Sequence, residues 1–338
     1  MKINRMFSAR KFLCIFIVIF TFLFAILVSD LWHECDKEEL IATKNLLKKY
    51  ASQIQELRNE LKKNEFQQPS FYLRRSRPSI WLKSLPVIYL ITPTHARLEQ
   101  KAELTRLSHT LLHVPNIHWI IIEDSSEKTA LVQNFLNRTN LSFTHLYVPT
   151  PPEYKMSQED PNWLKPRGVL QRNAGLDWLR NNTSPSHAGV VYFADDDNTY
   201  SLKIFEEMRY TKKVSVWPVG LVGYLRYERP IVNNGKVTAW YTYWKPNRPF
   251  AMDMAGFAIN LKLVHKYPEA KFSNAVQRGF QESTMLTKMQ LTLDDLEPKA
   301  NMCTEVLVWH TRTEKSRTKN EEKMVKLYGT GSDPNIEV

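Results

Sequence analysis

The chain has 338 residues, 43% hydrophobic and 12% aromatic, with a formal net charge of +11. That composition excludes a disordered or collagen-like chain and supports a sizeable core, in a length between one average domain and two. Three cysteines exclude a disulfide scaffold, and no CxxC or paired Cys/His spacing offers a structural zinc site. Lys2, Arg5, Arg10 and Lys11 precede the first acid, Asp30, so part of the positive charge belongs to the N-terminus. The excess that remains suits nucleic acid, phosphates or acidic sugars without choosing among them.

After a cytosolic tail, 1–11, residues 12–28 read FLCIFIVIFTFLFAILV, with Thr21 the one polar break. At about 1.5 Å per residue the run spans roughly 25 Å, enough for a thin bilayer. A cleaved signal peptide is the competing reading, but the run is long for one and its exit, SDLWHEC, lacks a small-x-small cleavage site. Basic residues before the span and Asp30, Glu34 and Asp36 after it predict one transmembrane anchor, with the N-terminus in the cytosol and the bulk of the chain in the lumen. Residues 29–85 read as stem and linker. Leu40, Leu47, Ile54 and Leu61 recur as a heptad, with Tyr50 and Leu57 on the other seam, and predict a parallel dimer stem that Thr43 and Asn64 weaken; a solvated helical spacer fits as well. Cys35 stands where an oxidising lumen permits a bridge between two copies. Cys14 lies in the span, and neither it nor Cys303 is placed as a nucleophile. Residues 66–86 mix proline, arginine and serine without period, so the folded domain, 86–338, is expected to begin near Pro86.

From there short apolar runs alternate with helical stretches. VIYLIT (87–92) precedes a helix carrying Leu104, Leu107 and Leu111 on one face; WIIIED follows, ending at Asp124. A helix from about Glu127 leads to FTHLYV (143–148), a proline-rich loop, the helix RGVLQRNAGLDWLR and the run GVVYFA (189–194). Such alternation predicts an α/β fold with a mostly parallel central sheet and flanking helices, whose ligands bind beyond the carboxyl ends of the strands. Thr92 to Arg97, Glu123 to Ser125 and Asp195 to Asp197 occupy those ends. Neither GxGxxG nor GxxxxGKS follows the first strand, so phosphate must be held by other means. Four sequons, at Asn137, Asn140, Asn181 and Asn182, fall in polar segments and are candidates for glycosylation.

Asp195-Asp196-Asp197 follows VVYFA directly. Three adjacent carboxylates beside a hydrophobic strand repel one another unless a cation neutralises them, and oxygen ligands suit Mn²⁺ or Mg²⁺ on a diphosphate. On an extended segment, Asp195 and Asp197 would point the same way and approach one ion; an acidic turn on a solvated loop is the plainer alternative. Arg97, Arg167, Arg172, His310 and Arg312 lie after other apolar runs, where they could converge on a phosphate.

The segments YFADDDNTYS, VSVWPVGLVG, RPFAMDMAGFAIN, QEST, DLEP and LVWHTRTEK resemble the β-1,3-glucuronosyltransferases over residues 86 to about 316. The resemblance implies a GT-A type nucleotide-sugar fold, Mn²⁺, inversion at the anomeric carbon, a homodimer and a type II Golgi membrane layout. It divides the domain into a nucleotide-binding part, 86–197, and an acceptor-binding part, 198–338. It implies that Asp124 accepts from the uracil, that Arg167 and Arg172 lie at the nucleotide, and that Asp195 and Asp196 contact uridine and ribose. Asp197 would hold the manganese, and His310 and Arg312 would steady the diphosphate and the transferred sugar. His95 stands in PTHAR where the family often has tyrosine; imidazole can still stack on uracil, with a pH dependence near neutrality. Glu282, opening QESTMLTKM, would be the catalytic base, although a first-turn glutamate is also an ordinary helix-capping residue. Glu228, Arg248 and Asp253 would bind galactose hydroxyls, and Trp244 would offer a sugar-stacking face, unless AWYTYW (239–244) is core strand packing.

The expected activity is transfer of glucuronic acid from UDP-glucuronate to a terminal galactose on a protein-linked glycan, foremost the glycosaminoglycan linker. Galactose-N-acetylglucosamine termini are the second acceptor class. The rival readings are a metal-dependent nucleotidyltransferase and a non-catalytic carbohydrate-binding protein. Nucleic acid is not an expected partner.

Overall fold

A computed structural model describes residues 20–24, 44–45, 48–50, 52, 81–156, 160, 164–333 and 336–338. The chain divides into two units, Met1–Arg75 and Ser76–Val338. In the first, the described residues are helical and exposed. Most of the apolar run 12–28 and of the heptad segment, with Cys14 and Cys35, lies outside the described residues. Among those that are described, no helix is long and apolar enough to cross a membrane.

The second unit opens with Leu82 and Leu85, whose backbones hydrogen-bond to the Asn116 side chain, so packing begins just ahead of Pro86. The elements then run β1 (Val87–Thr94), α1 (Gln100–Leu111), β2 (Ile117–Glu123), α2 (Ala130–Arg138), β3 (Ser142–Tyr147), α3 (Val169–Asn182) and β4 (Gly189–Phe193). After them come β5 (Thr199–Tyr200), α4 (Leu202–Met208), β6 (Val214–Val216), β7 (Val219–Gly220), β8 (Tyr227–Asn233) and β9 (Lys236–Tyr241). The last are β10 (Phe257–Asn260), α5 (Leu261–Lys266), α6 (Gln281–Lys288), β11 (Leu296–Pro298), β12 (Val308–Trp309) and α7 (Lys319–Tyr328).

The seven-stranded sheet has the order β11-β6-β10-β4-β1-β2-β3. Its pairs are parallel except at β10, which runs antiparallel to both β4 and β6. Strands from both halves of the domain share this sheet, so the two expected parts are joined through one core. A second sheet, β5-β12-β7-β8-β9, was not foreseen, because three of its strands have two residues each and carry no periodicity.

Alternation along β1 assigns each side chain to a layer. Ile88 and Leu90 pack with Leu104, Leu107 and Leu111 of α1 on one face. Tyr89 and Ile91 pack with Leu176 and Leu179 of α3 on the other. Each fully buried aliphatic side chain contributes about 1.5–3 kcal/mol, and the central strands are apolar on both faces because helices cover both. The first helix starts at Gln100, since the residues after β1 turn away from it into the site described below. The next starts at Ala130, where the Thr129 hydroxyl accepts from the Val132 amide.

α3 lies close on β1 because Gly175 faces Ile91. A Cβ at Gly175 would stand 2.9 Å from Ile91 Cγ2, and Ile91 is fully buried. Alanine would gain about 1 kcal/mol of helix propensity but overpack the interface by about 1–3 kcal/mol. Gly175→Ala is therefore expected to lower the thermal midpoint by a few degrees; a raised midpoint in a melting experiment would contradict this packing.

Candidate active site

β1 lies between β2 and β4, where the direction of strand order reverses, and such a switch point opens a crevice at the strand carboxyl ends. Thr94 ends β1 and is buried; its hydroxyl donates to Asp196 Oδ2 at 2.7 Å and accepts from Gln100 at 3.1 Å. Arg97 ion-pairs with Asp196 at 2.8 Å and with Glu103 of α1. Asp195 receives the Arg172 guanidinium at 2.5 Å. Arg172 is fixed in turn by a bond to the Arg167 carbonyl at 2.8 Å. Gly168 permits this arrangement: it caps α3 with φ +70°, and a Cβ there would collide with the Arg172 guanidinium.

The aspartate trio therefore does not act as one extended ligand set, as the alternation of an extended segment had implied. Asp196 and Asp197 lie in a turn, and each carboxylate has its own surroundings. Asp195 and Asp196 are neutralised by arginines. The Asp197 carboxylate receives no hydrogen bond or ion pair from the described residues, and burial, reinforced by Asp195 and Asp196, pushes its pKa up. An enclosed acid lacking a protein partner, among other acids, is the environment a divalent cation relieves, so the residues present fit such an ion. Among the described residues no three His, Cys, Asp or Glu side chains form a cage, so a cation here would have Asp197 as its protein ligand.

The Asp197 carbonyl accepts from Thr311 at 2.6 Å, and β12 pairs with both β5 and β7, which brings His310 beside the trio. His310 Nδ1 is 3.7 Å from Asp253 Oδ2. Asp253 raises the His310 pKa against the effect of burial. Burial pushes Asp253 up, but His310 and the Ala255 amide outweigh it and hold that carboxylate below its usual range. The turn carrying Asp253 is pinned from behind, since Tyr192 and Trp217 both donate to the Ala255 carbonyl. Arg312 is exposed beyond this point.

Glu282 occupies the first turn of α6. Burial first, and then Asp253, push its pKa up to about 7, against the helix amide, Arg248 and Arg172. A cavity of about 230 Å³ joins Glu282 and Gln281 to Arg167, Arg172 and Asp195, with Phe272 and Met254 as its apolar wall. Lys165 also lines it, its amine tied to the Glu153 and Lys155 carbonyls.

His95 is exposed beside Arg97, and the surrounding protein and then that guanidinium hold its pKa below the ordinary imidazole value. Asp124 accepts from the Thr150 amide at 2.6 Å and the Thr150 hydroxyl at 2.8 Å.

Glu228 is buried, accepts from Thr242, and has its pKa raised by burial. Trp244 is half-buried with Lys245, Arg248 and Arg278 about its ring at 5.0, 5.4 and 5.2 Å from the centroid. The AWYTYW run is core packing only in part: Trp240 packs against the core, while Tyr241 and Tyr243 are exposed. Arg248 spends its three nitrogens on the carbonyls of Lys245, Gly279 and Trp244 and so braces this wall. The four sequon asparagines are exposed on α2, just after it, and at the end of α3. Cys303 is buried and its thiol is pushed up to about 12, which makes it inert. Sequence reading covered Thr94 only within the strand-end range Thr92 to Arg97 and missed Thr150, Gln171 and Lys165, for which no local signal was available.

Between about pH 4.5, the ordinary glutamate value, and about 7, the folded chain holds a proton on Glu282 that the unfolded chain releases, so stability falls as pH rises through that window. The loss is on the order of 3 kcal/mol. Glu282→Gln is expected to gain stability relative to the parent at about pH 8 and not at about pH 5. Equal differences at both pH values in denaturant unfolding would refute the buried placement of this carboxyl.

The profile of glycosyltransferase family 43 matches residues 107–314. The galactosylgalactosylxylosylprotein 3-beta-glucuronosyltransferase 3 of Mus musculus is 53% identical over 266 residues, 76% of this chain and 79% of that one. The enzyme of the same name numbered 1 from Homo sapiens is 52% identical over 78% of each chain. The one numbered 2 from Rattus norvegicus is 56% identical over 73% of this chain and 76% of that one. A family profile over more than half of the chain and identities of this level over three quarters of it leave one conclusion: the chain belongs to glycosyltransferase family 43.

Proposed function

We propose that the protein transfers glucuronic acid from UDP-glucuronate to the terminal galactose of the glycosaminoglycan-protein linker, with inversion. The observation that carries the reading is Glu282, a carboxyl with its pKa near 7, opening into the cavity that Arg172 and Asp195 line from the other side. The names of the relatives support the donor and acceptor. Asp124 and His95 receive the uracil, Asp195 and Asp196 the uridine, and Glu228, Asp253 and Trp244 the acceptor galactose, with Arg248 supporting that wall.

In the reaction Glu282 takes the proton of the acceptor hydroxyl as its oxygen bonds to the anomeric carbon. The bond from that carbon to UDP breaks on the opposite face, and its electron pair leaves on the diphosphate. Arg172, His310 and Arg312 hold the developing negative charge. Asp197 would hold Mn²⁺, which when bound supplies Lewis-acid stabilisation of the leaving diphosphate. Phe272 and Met254 keep water from the reacting carbon. The apolar run 12–28 completes the reading as the single anchor of a type II Golgi enzyme, and the heptad segment as the stem of a homodimer.

The test uses the full chain purified in detergent with UDP-glucuronate and galactose-terminated acceptors. UDP release is expected to need both Mn²⁺ and the acceptor, and to stop with a chelator; chelator-insensitive release would remove the metal from the scheme. Glu282→Gln is expected to lower kcat by about 10²–10⁴ with UDP binding retained. Activity surviving that substitution would favour a binding protein, and turnover without any sugar acceptor would favour a nucleotidyltransferase. The base must be ionised to act, so kcat/KM is expected to rise with pH and level off above about 7; a profile flat from about pH 5 to 8 would mean another base.

A further inference from the structure

Asp124 is held more firmly than recognition of a base alone requires. Its backbone amide donates to the Thr94 carbonyl at 2.8 Å, which fixes the residue to the end of β1. Both its carboxylate oxygens then accept from a single residue, Thr150, which lies in the loop after β3: Oδ1 from the amide at 2.6 Å and Oδ2 from the hydroxyl at 2.8 Å. The hydroxyl has one proton. Having given it to Asp124, Thr150 can only accept from Gln171 Nε2, 3.2 Å away.

The Gln171 amide is oriented by a second constraint. Its Nε2 also donates to the Val148 carbonyl at 2.8 Å, and a carbonyl cannot face the amide oxygen, so the NH₂ must lie on this side. The side chain is buried, and its Oε1 has no partner among the described residues. The direction of every proton in the relay is thus settled, from Gln171 to Thr150 to Asp124. Gln171 precedes Arg172 on α3, so one helical turn supports both the base pocket and the arginine on Asp195.

A carboxylate clamped in this way has its remaining lone pairs fixed in direction and serves only as an acceptor. Uracil presents an N–H at its N3 position, which such an acceptor can take. Cytosine presents a lone pair there, which it repels. We propose that Thr150, supported by Gln171, is a positioning residue that fixes Asp124 as a rigid acceptor and thereby sets the preference for a uracil over a cytosine nucleotide donor. The inference rests on the reading of Asp124 as the acceptor for the donor base.

Calorimetric titration of the full chain with UDP and with CDP, each with Mn²⁺, measures the preference as a ratio of dissociation constants. That ratio does not depend on the fraction of protein folded, since both nucleotides report the same folded population. Thr150→Val keeps the shape and the backbone amide but removes the hydroxyl. It is expected to weaken UDP binding by about ten-fold, as loss of one bond to a charged group would, and to weaken CDP less, so the ratio falls. KM for UDP-glucuronate should rise by a similar factor while kcat changes little, and Thr150→Ser should restore both quantities. If Thr150→Val does not fold, Gln171→Met, which removes the donor behind the hydroxyl, carries the same test with a smaller shift in the same direction. An unchanged ratio in these variants, while Asp124→Asn lowers it, overturns the role of Thr150 and leaves the Asp124 reading intact. An unchanged ratio in Asp124→Asn as well overturns the base-acceptor reading itself.

Discussion

Three carboxylates leave the core in succession where β4 ends, and the protein has to keep them there. At an effective dielectric near 20, two like charges about 4 Å apart repel by about 4 kcal/mol. Charge is balanced from several elements at once. Arg172 comes from the first turn of α3 and Arg97 from the loop after β1, while the Thr94 hydroxyl adds a hydrogen bond. Asp197 keeps no protein partner among the described residues. The crevice is thus built to be almost, but not completely, neutralised by its own side chains, and the negative charge left over is the feature to which a cation can respond.

The same constraint organises the second half of the domain. Thr311 reaches the Asp197 carbonyl, and β12 ties the segment carrying His310 into the smaller sheet. Asp253 meets His310 there, and their mutual attraction drives the two pKa values apart, the acid down and the imidazole up. Glu282 is driven the other way because burial dominates its surroundings. Two acids of one crevice are thus pushed in opposite directions, Asp253 toward the charged form and Glu282 toward the neutral one. No property of aspartate against glutamate produces that division; it follows from which of them has a cationic partner.

Polar residues around Asp124 are tied together in a similar way. The Thr150 and Gln171 side chains touch Asp124 or its neighbour, and together they fix the direction of each hydrogen bond. Strand end, loop and helix turn meet at that point, so Asp124 is held from several elements at once. The surroundings of Trp244 are built differently: it is half-buried among three cations, and Tyr241 and Tyr243 next to it are exposed.

The sequence by itself determined the alternation of β1 to β4 with α1 to α3, because a strand covered on both faces must be apolar throughout and its covering helices must show an apolar stripe. It also placed the acids of 195–197 at a strand end and, through the resemblance, named Glu282. Only the tertiary structure decided how the three acids divide their partners, since Arg97, Arg172 and Thr94 reach them from separate elements. It alone decided that β10 runs antiparallel, that two-residue strands close a second sheet, and that Thr150 belongs to Asp124. These are contacts between segments distant in the chain, governed by three-dimensional proximity and local dielectric, and periodicity along a sequence carries no record of either.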